Sequence, residues 1–252
     1  MSASTLLRAL ALPLLIAIAW QLVSQQSVEY AFAFVPLQDV WRSFLEVLAS
    51  GELLVNLLAS VLTAGKGLLI GSATGIAVAL LMGLSRTVDT LLRPLLNALR
   101  HIPTVALIPL IVLWFGNTGF SKVLVVSLAV FEVMVLNTCE GLHSIDRRFL
   151  EVGRALTLSR LAVFRYLRIP AALPSICTGF QHAIAFAWLA TVAVELLFFG
   201  GAGLGSFMER GQIAARMDIV IVCLILIAIL GFLIQRLTMR LSRRLLYWQG
   251  GR

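Results

Sequence analysis

Charged side chains are scarce in this sequence: Asp, Glu, Lys and Arg make up only 13% of its 252 residues. A soluble chain of that length needs a large polar surface to stay dispersed, so the scarcity excludes an ordinary soluble domain. Histidine is scarcer still. His101, His143 and His182 have no HExxH-like spacing, which leaves a metal-dependent membrane enzyme without a ligand set. Cys139, Cys177 and Cys223 show neither metal-ligand spacing nor a paired framework, and they read as small packing residues. No GxxxxGK[ST] loop occurs anywhere, so the chain has no such cradle for nucleotide phosphates.

What the sequence does have is apolar length. Hydrophobic residues reach 60% and come in runs of about 20, the length that crosses roughly 30 Å of hydrocarbon. Six spans are predicted: Leu6–Val23, Leu53–Met82, Leu95–Phe115, Val123–Thr138, Ile176–Phe199 and Ile219–Leu237. The fold class is therefore all-α, a polytopic helical membrane protein forming one transmembrane domain over residues 1–252. Arg8, the first run and a later Ala31-Phe32-Ala33 imitate a signal peptide with its cleavage site. The polar gap from Gln25 to Tyr30 favours an uncleaved first span instead.

The formal net charge is +8. The charges are spread between the apolar runs, a topology signal, and no nucleic-acid partner is expected. Starting from a cytoplasmic N-terminus, the inner segments collect Arg86, Arg93 and Arg100, the arginines from Arg147 to Arg168, and those from Arg236 to the end. The outer segments hold only Arg42, Lys122, Arg210 and Arg216, beside Glu29, Asp39, Glu46, Glu52, Glu209 and Asp218. The positive-inside rule places both termini in the cytoplasm.

Two further patterns bear on packing. Gly67, Gly71, Gly75, Ala79 and Gly83 place a small residue at every fourth position, a stripe that lets two helix backbones approach closely in lipid. Val40, Phe44, Val47 and Leu48 fall at helical spacing and predict a short amphipathic helix on the outer face.

The stretch "FLEVGRALTLSRLAVFRYLRIPAALPSI" breaks the apolar pattern. Asp146 can cap a helix carrying Glu151 in its first turns, with Leu150, Val152, Ala155 and Leu156 as contact surface and Gly153 keeping part of it shallow. Ser159 can cap a second, basic helix, which Pro170 and Pro174 are expected to stop, turning the chain back into the membrane. The sequence alone also allows a plain solvated loop here. Lys66, Glu132, Gln181, His182 and Glu195 are the polar residues within or beside spans, and Lys66, Gln181, His182 and Glu195 are candidates to line a substrate pathway. Pairing between helices is the alternative for each.

The stretch resembles the cytoplasmic loop of binding-protein-dependent ABC importer permeases, whose pattern is Glu-Ala-Ala, then a glycine, and further on Ile-x-Leu-Pro. Glu151 takes the first position, Val152-Gly153 replace the alanines, Thr157 stands at the glycine, Leu167 replaces the isoleucine, and Ile169-Pro170 close the pattern. "LRHIPTVALIPLIVLWFG" (Leu99–Gly116), "IPAALPSI" and "VAVELLFFGGAGLG" (Val192–Gly205) follow the order of one subgroup, similar to permeases for aliphatic sulfonates, taurine and nitrate. The likeness runs from Val35 to about Arg240.

The resemblance implies a type I importer-like permease without enzymatic activity or cofactor of its own, in a bacterial plasma membrane. Its loop, about 139–175, would dock on an ATPase subunit through Glu151, Val152, Gly153, Ala155, Leu156, Thr157, Ile169 and Pro170. It further implies two ATPase subunits that bind the ATP, a second permease copy in a homodimer, and an extracytoplasmic substrate-binding protein. The cargo would be a small anion, or, as in related sets, a pyrimidine-like thiamine precursor. An ATP-independent channel and a membrane enzyme are the remaining classes.

Overall fold

The computed structural model describes residues 3–27, 33–198 and 200–245. Among them the chain is helical, with no strand. The helices are α1 (Ala3–Ser24), α2 (Leu37–Ala49), α3 (Glu52–Leu84), α4 (Arg86–Leu99), α5 (Ile108–Phe115) and α6 (Gly119–His143). They continue with α7 (Arg147–Ala155), α8 (Arg160–Leu197), α9 (Leu204–Ile213) and α10 (Met217–Leu245).

The small-residue stripe does what its spacing predicts. A side chain at Gly67 or Gly71 would overlap Val126 or the Ser127 carbonyl oxygen. At Gly75 an added Cβ would come within 2.8 Å of Met134, and at Gly83 within 2.8 Å of Leu142. Ala79 is fully enclosed. Backbones this close maximise dispersion contact where lipid offers no hydrophobic drive. The pairings also fix direction: Gly67 lies level with Val126 and Gly83 with Leu142, so α3 and α6 are parallel.

Parallel neighbours require the chain to return between them. The α4 and α5 segments do this, as a pair bent by 89° at a break that contains Pro103. The pair climbs α6: Arg93 meets His143 at 3.2 Å near one end, while Ile108 and Ile111 join Val125 and Val126 toward the other. The bent pair is thus one crossing. It corresponds to the predicted span Leu95–Phe115, and its start is the amphipathic α4.

Among the described residues, four helices are long and apolar enough to cross unaided: α3, α6, α8 and the Met217–Arg240 part of α10. The helix α1 spans 22 residues, Ala3–Ser24, over the predicted first span Leu6–Val23. The largest correction concerns α8. It begins at Arg160, not Ile176, and passes through Pro170 and Pro174 without stopping. A π turn over Phe164–Arg168 lies directly before Pro170. Its wider backbone accommodates a ring that would clash with a regular preceding turn.

The predicted outer helix is α2. Val40 and Val47 are buried and Phe44 is half-buried, but Leu48 is exposed. Val40 packs with Val222, and Ser43 donates to Asp218. Arg216 bonds Asp218 at 2.7 Å and Glu46 at 3.1 Å, and those carboxylates hold its guanidinium above its ordinary pKa.

Candidate functional site

At the end of the bundle where Leu84, His143 and Arg160 meet, the charged stretch forms two helices joined by a tight turn. Asp146 Oδ1 accepts from the Arg148 N–H at 3.0 Å and starts α7; Ser159 Oγ accepts from the Ala162 N–H at 3.2 Å and starts α8. Both caps satisfy helix-end donors as their sequence positions predict. Between them the Leu158 N–H reaches the Gly153 carbonyl at 3.0 Å, and the Thr157 N–H reaches that of Arg154 at 2.9 Å. This is a Schellman closure, and it puts Thr157 at φ 51°, in the left-handed region. A β-branched residue is rare there, and the usual cost is about 1–2 kcal/mol. The turn demanded by the missing glycine is kept regardless.

Gly153 is buried because α7 lies on the start of α8: an added Cβ would sit 2.9 Å from Leu167. Glu151, Ala155 and Thr157 are exposed, Leu150 and Ile169 half-buried, and Pro170 exposed within α8. The outward apolar face of α7 consists of Phe149, Val152 and Leu156, at 58%, 54% and 63% exposure. Their spacing puts them on one side of the helix. Sequence reasoning named Val152 and Leu156 but passed over Phe149, although the same spacing contained it.

The opposite end holds a closed polar knot. Glu195, wholly buried, accepts from Ser60 Oγ at 2.7 and 2.9 Å and from the Gly205 N–H at 3.0 Å. Ser60 Oγ in turn accepts from the Leu204 N–H at 2.8 Å. Asn56 Oδ1 takes the Gly203 N–H at 3.0 Å and Arg210 at 3.2 Å. Lys122 Nζ reaches Ser206 Oγ and the Gly200 carbonyl, each at 3.2 Å. Gly203 is at φ 150°, and a side chain there would overlap the Glu195 carboxylate. The knot ties α3, α6, α8 and α9 together.

The predicted pathway residues are not gathered in one place. Lys66 is exposed on α3, and His182 is exposed on α8. Gln181 is half-buried beside it, and Glu195 is enclosed in the knot. Among the described residues no group of His, Cys, Asp and Glu could hold a metal ion.

Comparison with known proteins agrees with this architecture. Residues 71–247 match the family described as binding-protein-dependent transport system inner membrane component. The putative aliphatic sulfonates transport permease protein SsuC of Bacillus subtilis is 31% identical over 96% of this chain and 88% of its own. The taurine transport system permease protein TauC of Escherichia coli is 34% identical over 70% of this chain and 64% of its own. In fold, the chain is similar to one from the crystal structure of an amino acid ABC transporter with histidines. The TM-score is 0.68 at 17% identity, covering 79% of this chain and 96% of that one. The parallel pair α3–α6, the exposed helical prong and these matches lead to one conclusion: the chain belongs to the family of inner-membrane permease components of binding-protein-dependent ABC importers.

Proposed function

We propose that this permease carries a small organic or inorganic anion of the sulfonate, taurine or nitrate type, driven by ATP hydrolysis in a separate subunit that grips α7. The observation that carries the coupling half is the exposed face Phe149–Val152–Leu156, flanked by Glu151 and set at the arginine-rich end of the bundle. Exposed apolar groups on a helix in water mark a surface that a partner covers. The positive-inside rule assigns that end, and both termini, to the cytoplasm of a bacterial plasma membrane. The names of the sulfonate and taurine relatives support the anion.

In this scheme two permease copies and two ATPase subunits form the core, and an extracytoplasmic binding protein delivers the cargo. Closure of the ATPase pair moves α7. The Schellman turn and the Gly153–Leu167 contact pass that motion into α8, a rod of 38 residues, about 57 Å long at the usual rise. At its far end Glu195 hands the motion to α3 and α9 through Ser60 and the Gly205 N–H. The result is alternating access by rocking of packed helices.

Glu151 makes the charged contact with the ATPase, and Ala155 and Leu156 sit in its groove. Glu151→Arg therefore leaves insertion intact and abolishes ATP-driven uptake; normal uptake by that variant overturns the assignment. Calorimetry of the cognate binding protein against taurine, ethanesulfonate and nitrate identifies the cargo. Selective binding of a cationic compound would contradict the anion.

A further inference from the structure

The α4 helix carries Arg86, Thr90, Arg93, Asn97 and Arg100 at alternating intervals of four and three, a single stripe, and all five are exposed. The adjacent apolar side of α4, through Val88, Leu92 and Leu96, packs against α3 and α6. Arg93 is braced by Asp89 at 2.7 Å and approaches His143 at 3.2 Å. Beside the stripe lie two cavities. One, of about 40 Å³, has Arg93 and Asn97 in its wall; the other, of about 60 Å³, has Arg100 and Glu132. They share Leu96, Val135 and Leu136 and so lie side by side along the cleft between α4 and α6. The cleft runs from the arginine-rich end to the bend.

Arg100 and Glu132 line the same cavity, yet no ion pair joins them among the described residues. Glu132 lies mid-helix in α6, at bilayer depth, where a charge in lipid is costly and such residues face partners or water. The remaining cavity wall is apolar. Two opposite charges held apart by an otherwise apolar wall suit a ligand that spans them. A ladder of arginines leading out of the cleft raises the local concentration of anions. Weak contacts at successive rungs allow passage without trapping.

We propose that this cleft is the cytoplasmic half of the substrate path. It receives a small anion by its head at Asn97 and Arg100, while Glu132 accepts a hydrogen bond from a donor group on the same molecule. The proposal rests on the permease reading of the chain, but not on how α7 is coupled.

The test uses the full permease–ATPase complex in proteoliposomes, with Cys139, Cys177 and Cys223 replaced and Asn97→Cys introduced. Anionic sulfonatoethyl methanethiosulfonate reacts there roughly tenfold faster than the cationic trimethylammonioethyl reagent, as a focusing cleft requires. Arg100→Gln in the same background reduces the preference and Arg100→Lys retains it. Leu91→Cys and Leu95→Cys, on another face of α4, show no preference. Taurine slows the labelling more than ethanesulfonate does, and Glu132→Gln erases that difference. Equal rates for the two reagents at Asn97→Cys, or a preference undiminished by Arg100→Gln, overturn the cleft as an anion path. Equal protection by taurine and ethanesulfonate, or none by either, overturns the role of Glu132. Labelling requires no ATP turnover, so failure of the Glu151 experiment is separable from failure here.

Discussion

The two ends of this bundle solve opposite problems. At one end, Glu195, Ser60, Asn56, Lys122 and Arg210 are bonded to each other and to a glycine-rich loop within the protomer. At the other, α7 leaves Phe149, Val152 and Leu156 uncovered and holds Thr157 in a conformation threonine rarely adopts. The knot is complete alone; the prong is not. Buried polar groups that are fully satisfied give rigidity, whereas apolar surface left open marks the place where another molecule is needed. The most eye-catching charge in the membrane, Glu195, is thus bonded within the protomer, whereas the bland Phe149 is left uncovered.

Substitutions sharpen this contrast, beginning with the knot. Glu195→Ala leaves Ser60 and the Gly205 N–H without their acceptor and removes one of the two acids near Lys122. Loss of one partner from such a buried network costs about 3–5 kcal/mol. The expected outcome is a large fall in the thermal unfolding midpoint of the detergent-solubilised protein. An unchanged midpoint would show that the knot is not a structural tie. Gly71→Val forces apart the closest approach of α3 and α6 and costs about 1–3 kcal/mol by overpacking, read by the same unfolding assay.

Effects at the prong are smaller on stability and have a different sign. Thr157→Gly relieves the left-handed strain and stabilises by about 1 kcal/mol, visible as slower hydrogen exchange at residues 153–158. Faster exchange would mean that the turn owes its shape to something other than local geometry. Phe149→Ala shifts stability by no more than about 0.5 kcal/mol, as for an exposed side chain. It nevertheless lowers recovery of the ATPase with the permease in mild detergent. A substantial stability loss with normal ATPase recovery would reverse the contrast drawn here.

Much of the prong was legible in sequence because its determinants are local. Asp146, Ser159 and the left-handed position at Thr157 act within a few residues of themselves, and the small-residue stripe of α3 needs only its own period. The start of α8 was not legible: two prolines argue for a stop, and only a π turn, invisible to composition, lets the helix continue through them. The knot was hidden for another reason. Ser60 lies 135 residues from Glu195 in the chain, and nothing in either segment names the other. Leu48 shares its helical spacing with Val47 and Val40, yet α10 covers only one side of α2, so periodicity offered more buried positions than the neighbour could cover.

The uncovered side of α7 can be interrogated without altering the protein's charge. A photo-activated amino acid placed at Val152 in the assembled complex, with one at Met208 on α9 as the opposite-end control, is irradiated and the adducts are identified by mass spectrometry. The account predicts that Val152 captures the nucleotide-hydrolysing subunit and Met208 does not. Capture of that subunit from Met208, or of only lipid or the extracytoplasmic binding protein from Val152, would contradict it.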